Sequence, residues 1–162
     1  MNGFRPGSDG EVEAEFDVVE RGLIVSLAEQ LIELLDLSSD SASPAADPAL
    51  ARLLPDAYPD DAEASAEFRR FTSADLTQRK IANARAVADS VRGGERASVV
   101  LDAHDVQAWL RTLADLRLTL AARLGIQRDG ETGRTDDEAQ PVQQLYLWCG
   151  YLQESLLEVI TA

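Results

Sequence analysis

The chain has 162 residues, of which 45% are hydrophobic and 27% charged, with a formal net charge of −14. Such a length predicts one domain that buries its own core, and a single cysteine, Cys149, leaves no intramolecular disulfide to form. The charge argues against general nucleic-acid binding, which needs concentrated Lys and Arg. No apolar run reaches the roughly 18 residues of a membrane span. The start, MNGFRPGSDGEVEAEF, lacks the basic-then-apolar pattern of a secretory signal, so the expected location is cytoplasmic.

The acidic excess is uneven. Residues 1–70 carry 16 acidic and 5 basic side chains, and residues 71–162 carry 13 and 10. A solvated acidic surface that keeps the protein dispersed accounts for this; attraction of a basic protein partner is the other reading.

Residues 2–16 read as a hairpin. Val12, Ala14 and Phe16 alternate with Glu11, Glu13 and Glu15, after a Pro-Gly-Ser-Asp-Gly turn preceded by Gly3, Phe4 and Arg5. Asp17 starts a helix to about Asp36 with a broad apolar face of Leu23, Ile24, Leu27, Ala28, Leu31, Leu34 and Leu35. SSDSASPAADP predicts a mobile loop over about 38–47, and Asp47-Pro48 fits the N-cap and first position of a short helix ending before Pro55.

In PDAYPDDAEASAEFRRFT, Pro55 and Pro59 frame a turn carrying Tyr58, and Asp60 with Glu63 predicts a capped helix to about Phe71. Thr72 and Asp75 repeat the capping spacing, so a break and a further helix to about Val91 are expected, closed by Gly93 and Gly94. Ser98–Leu101 is a third β-like run that would complete a small sheet with the hairpin.

The segment LDAHDVQAWLRTLADLRLTLAARLG, residues 101–125, predicts the central helix. Asp102 and Asp105 cap its start, and Gly125 suits the left-handed position after its end. Trp109, Leu113, Leu116, Leu120, Leu124 and Val106 form its stripe, widened by Leu110 and Leu118. Arg117 falls inside the apolar arc at about 80° from Trp109, so either its stem packs while its head reaches water, or its guanidinium is buried against a carboxylate. Asp115, about 160° away from Arg117, is read as an exposed i,i+4 pair with Arg111. Residues 126–140 are polar and glycine-containing, an expected mobile loop. Pro141 opens a last helix whose stripe is Leu145, Trp148, Cys149, Leu152, Leu156 and Val159, with Gln153 inside it.

The catalytic inventory is short. His104 is the only histidine and sits in the first turn of the central helix, where a surface or capping role is expected; a His-rich zinc site and the paired Glu-x-x-His elements of di-iron bundles are excluded. No nucleophile elbow, phosphate-binding loop, dinucleotide fingerprint or calcium loop is present, and no cofactor is expected. Cys149 reads as a small core residue. What remains are polar residues at packing faces: Glu67, Lys80, Asn83, Arg117 and Gln153. Two readings stay open, a hydrogen-bonded network that fixes helix register, or a polar cleft for an anionic group or peptide with Tyr58 and Arg70 at its rim.

The segments FRPGSDG, PDAYPDDAEASAEFRRFT, AWLRTLADLRLTLAARLG and LQESL together resemble an uncharacterised actinobacterial family, a domain of unknown function whose genes often lie beside that of the Clp protease adaptor of the N-degron pathway. The family's Asp and Arg of the LADLRL segment fall on Asp115 and Arg117, while the residue before that Asp, commonly Asn there, is Ala114 here. The resemblance supplies no catalytic residues. It implies a link to regulated proteolysis by gene neighbourhood alone. The expected molecule is a mainly α, single-domain helical bundle around a central helix with a small N-terminal antiparallel sheet, acting through a protein partner; an enzyme or sensor for a small anionic ligand and a structural homodimer are the contrasting classes.

Overall fold

A computed structural model describes residues 3–40, 47–54, 62–92, 98–128 and 130–162; the side chains at 38–40, 62 and 64–74 lie outside that description. Strands β1 (Arg5–Pro6) and β2 (Val12–Glu15) precede helices α1 (Val18–Asp40), α2 (Pro48–Leu53) and α3 (Ala62–Arg92). Strand β3 (Ser98–Leu101), helix α4 (Ala103–Leu124) and helix α5 (Gln140–Thr161) follow. The fold is mainly α with a small antiparallel sheet, as the periodicities predict.

The hairpin closes through a turn in which Asp9 and Gly10 both adopt left-handed backbone, a conformation that Asp and Gly tolerate better than other residues. β2 lies between β1 and β3, with Pro6 opposite Val12 and Val12 opposite Leu101. Pro6, which has no N–H to donate, is on the edge strand. The alternation on β2 works as read: Val12, Ala14 and Phe16 are buried, while Glu15 is exposed.

Helix α1 starts with a reciprocal capping box, in which the Glu20 N–H donates to Asp17 Oδ1 at 2.8 Å and the Asp17 N–H to Glu20 Oε1 at 3.0 Å. Asp47 caps α2 by accepting from the Ala49 N–H at 2.8 Å. Helix α3 corrects the expected interruption at Thr72–Asp75, because it runs unbroken from Ala62 to Arg92. A capping-box spacing starts a helix only where the preceding chain is not already helical. Neither Gly nor Pro occurs in those 31 residues to stop propagation. The expected Asp60 cap, the Pro55–Pro59 turn and the Gly93-Gly94 stop lie outside the described residues.

Helix α4 carries both predicted caps. Asp102 accepts from the Asp105 N–H at 2.8 Å, and Gly125 at φ 72° ends the helix in a Schellman arrangement with the Ile126 N–H on Ala121 O and the Gly125 N–H on Ala122 O. The segment that follows is tied to the core. Ile126 and Ala139 are buried with Ala121 and Leu124, and the Arg134 N–H donates to Leu124 O at 2.9 Å. Gly133 is required for that approach, since a Cβ there would stand 2.7 Å from Leu124 O.

The core joins sheet to bundle at Trp109. Its ring stacks on Phe16 at 5.9 Å and meets the edge of Phe4 at 5.3 Å, and its indole N–H donates to Ser90 Oγ at 2.9 Å. α1 packs chiefly on α3, while α4 packs on α5, α3 and α2, which makes α4 the central post of the bundle. Arg21 of α1 donates twice to Val91 O, satisfying a terminal carbonyl of α3. Arg92 of α3 in turn pairs with Glu29 of α1.

Candidate functional site

Because α4 is surrounded, its buried arc extends from Asp115 through Trp109 to Ala121, roughly 240° of the circumference at 100° per residue. Asp115 is therefore buried. The expected exposed pair with Arg111 does not form: Arg111 is exposed, while Asp115 Oδ1 accepts from Lys80 Nζ of α3 at 2.7 Å. A stripe drawn through the leucines alone misses this because Ala108 and Thr112 also face inward and carry the buried arc round to Asp115. Burial pushes the Asp115 carboxyl above the ordinary range, and the Lys80 ammonium holds it back in part. Beside it, the Thr112 hydroxyl is buried with no hydrogen-bond partner.

Arg117 lies on the opposite flank of α4. It is half-buried, its Nη1 donates to Gln153 Oε1 of α5 at 2.9 Å, and its guanidinium sits 5.3 Å from the Tyr146 ring centroid. Its immediate partners are thus an amide and an aromatic face, where the sequence left water or a carboxylate. Gly150 makes room for it: a Cβ there would already touch the guanidinium Nε at 3.5 Å. That Nε–H is buried and unpaired.

The sequence-derived polar set is thereby divided. Lys80 meets Asp115, and Asn83, one turn on, is half-buried on α3. Arg117 is across the helix from both. Tyr58 and the side chains of Glu67 and Arg70 lie outside the described residues. What the set missed is the company of Arg117. A cleft of about 340 Å³ is bordered by Arg52 of α2, Arg117 of α4, Arg128 after α4, and Tyr146 and Gln153 of α5. Arg52 and Arg128 carry no periodicity signal that would have singled them out.

A second concavity, larger at about 460 Å³, runs between α1 and α5 over α4. Leu23, Leu27, Leu31 and Leu34 of α1 form one wall, Leu116 and Leu120 of α4 the floor, and Val142 and Leu145 of α5 part of the other wall. Leu23, placed on the packing face by its period, is 38% exposed at this rim, and Leu118, expected to widen the stripe of α4, is 40% exposed.

His104 is exposed. Cys149 is buried, and that burial pushes its thiol up to about 12. Among the described residues no group of three or more His, Cys, Asp or Glu is placed to hold a metal ion, and no helix is long and apolar enough to cross a membrane.

A match to the family described as domain of unknown function (DUF2017) extends over residues 1–160. The chain belongs to this family. Comparison with curated proteins and with solved structures finds no match.

In this DUF2017 fold, three of the four segments that carried the sequence resemblance meet in space. The Phe4 N–H of FRPGSDG donates to Ser155 Oγ of LQESL at 3.0 Å, and Gln153 of the same segment accepts from Arg117 of LADLRL. Gly3 allows the first contact, since its Cβ would stand 2.9 Å from Ser155 Oγ. Leu152 and Leu156 of LQESL are fully buried. These DUF2017 segments therefore have a common architectural use, which is docking α5 against both the sheet and the central helix.

Proposed function

We propose that this DUF2017 protein is a non-enzymatic interaction protein that receives a basic, amphipathic helix of a protein partner in the groove between α1 and α5. The single observation that carries the reading is the concavity of about 460 Å³ in which Leu23, 38% exposed, stands at the rim above the buried Leu27, Leu31 and Leu34, with Val142 and Leu145 half-buried on the far side. From Leu23 to Leu34 the wall is about 16 Å long at 1.5 Å per residue, room for three turns of a helix with apolar anchors at i, i+4 and i+7. The two arginines at the groove, Arg123 and Arg134, are each matched by an aspartate, Asp47 and Asp136. Glu138 also lines the groove, and the net charge of the whole chain, −14, attracts a cationic visitor at long range.

The gene neighbourhood implied by the family resemblance makes components of Clp-type proteolysis the first partners to test. Native-extract co-purification with mass spectrometry would compare the wild-type chain with a Leu23→Arg/Gln30→Arg variant, whose changes lie at the groove rim. Support consists of one stoichiometric partner lost from the variant at unchanged melting temperature, with the contact mapped to a basic amphipathic helix of that partner. A partner that binds both forms equally, or self-association alone by light scattering, overturns the proposal; the latter outcome favours a structural homodimer.

A further inference from the structure

The cleft on the Arg117 flank is separate from the groove and has a different chemistry. In a chain with 29 acidic and 15 basic residues, three arginines border it, and among the described residues that line it there is no carboxylate. They come from three places in the fold, α2, α4 and the segment after α4, so no local sequence run explains their convergence. Neither Arg52 nor Arg128 forms an ion pair among the described residues. Glu131, the described acid nearest to Arg128 in sequence, accepts through its carboxylate from the Gln127 N–H at 3.3 Å.

Arg117 is held in advance. Gln153 fixes one of its Nη groups, the Tyr146 ring lies against its face, and α5 passes close at Gly150. A guanidinium has five N–H donors, and this one has a single hydrogen bond with its Nε–H buried and unpaired. A cation so positioned loses little freedom on binding an anion, and its planar fork suits phosphate oxygens. Apart from Gln127, the remaining walls, Ala114, Leu118, Ala121 and Ile126, are apolar, and at about 340 Å³ the cleft is of small-molecule size.

We infer that this cleft binds a compact oxyanion carrying two or more negative charges, and specifically a small phosphomonoester, with the phosphate held by Arg52, Arg117 and Arg128 and the organic part against Leu118 and Ile126. Three guanidiniums exceed what one carboxylate can neutralise, whereas a phosphomonoester brings close to two charges and three acceptor oxygens. This assignment does not depend on the groove or on its partner.

The test is titration of the full chain with phenyl phosphate, inorganic phosphate, citrate and chloride at matched ionic strength, followed by melting temperature and calorimetry. Phenyl phosphate is expected to raise the melting temperature most, with inorganic phosphate next and chloride without effect. Arg52→Gln and Arg128→Gln are each expected to weaken phenyl phosphate at least tenfold while leaving the unliganded melting temperature unchanged. Arg117→Gln is not needed, so a folding defect at that half-buried position cannot obscure the result. Equal effects of chloride and phosphate, binding of citrate in preference to both phosphates, or retention of binding by the two variants would each overturn the assignment.

Discussion

Lys80, the only lysine of the chain, places its Nζ 2.7 Å from Asp115 Oδ1 across the interface of α3 and α4. The carboxylate side chain is 7% exposed and the lysine 18%, so neither charge is well solvated. A pair of this kind owes little net stability to its own attraction, because desolvation cancels most of it, yet loss of one partner leaves a charge stranded.

Lys80→Met is therefore expected to destabilise the fold by about 3 kcal/mol at pH 7, the range measured for breaking buried pairs. Lys80→Met with Asp115→Leu should recover most of that loss. The pH dependence has a definite sign. Burial already raises the Asp115 carboxyl above its unfolded value, so its contribution is fully present below the unfolded pKa and is lost as pH rises through the folded one. Without Lys80 only the burial effect remains, and the deficit of the single variant shrinks as pH falls from 7 towards 4. Urea denaturation at several pH values reads this directly; a deficit that is flat with pH would refute the account.

Thr112, one turn from Asp115, buries a hydroxyl with no partner. Thr112→Val replaces it with a methyl of similar size, removing an unsatisfied polar group without opening a cavity. The expected result is a gain of about 1 kcal/mol, seen as a higher denaturation midpoint at constant m-value.

Asp115 also shows where sequence reading reached its limit. The existence of the three strands, the caps at Asp17, Asp47, Asp102 and Gly125, and most of the stripes of α1, α4 and α5 follow from periods and local chemistry, whereas the first strand falls at Arg5–Pro6 instead of Gly3–Arg5, and Leu23 and Leu118 stay exposed. The burial of Asp115 depends on which helix covers the third side of α4. That is a tertiary fact, and only the inward-facing Ala108 and Thr112 hinted at it. Arg117 was legible as anomalous from its angle alone, but its partners come from α5, 29 and 36 residues away in sequence. The groove was invisible for the opposite reason: a leucine that lines a groove has the same period as one that fills a core.

Gly133→Ala tests whether the segment after α4 is held as described. The substitution puts a Cβ 2.7 Å from Leu124 O and asks alanine to hold φ 71°. Both effects oppose folding, and a loss of about 2 kcal/mol is expected. Hydrogen exchange should show the Arg134 amide, bonded to Leu124 O in the wild type, losing protection while the amides of α3 keep theirs.

Cys149 offers a reporter for the core as a whole. Its thiol is 1% exposed and burial pushes it up to about 12, so at pH 8 the folded protein presents almost no thiolate. Iodoacetamide is expected to leave it unmodified under native conditions and to alkylate it fully in denaturant. The raised value also sets an alkaline limit. A thiol that ionises at about 8.5 in the unfolded chain and at about 12 in the fold contributes stability that is complete below the first value and lost as pH rises towards the second. Cys149→Ala removes that dependence at the cost of a small cavity beside Trp148 and Leu152. Its denaturation midpoint should therefore lie below the wild type at pH 7 and fall less steeply between pH 9 and 10.5. Parallel curves for the two proteins over that interval would mean that the thiol is not desolvated in the folded state.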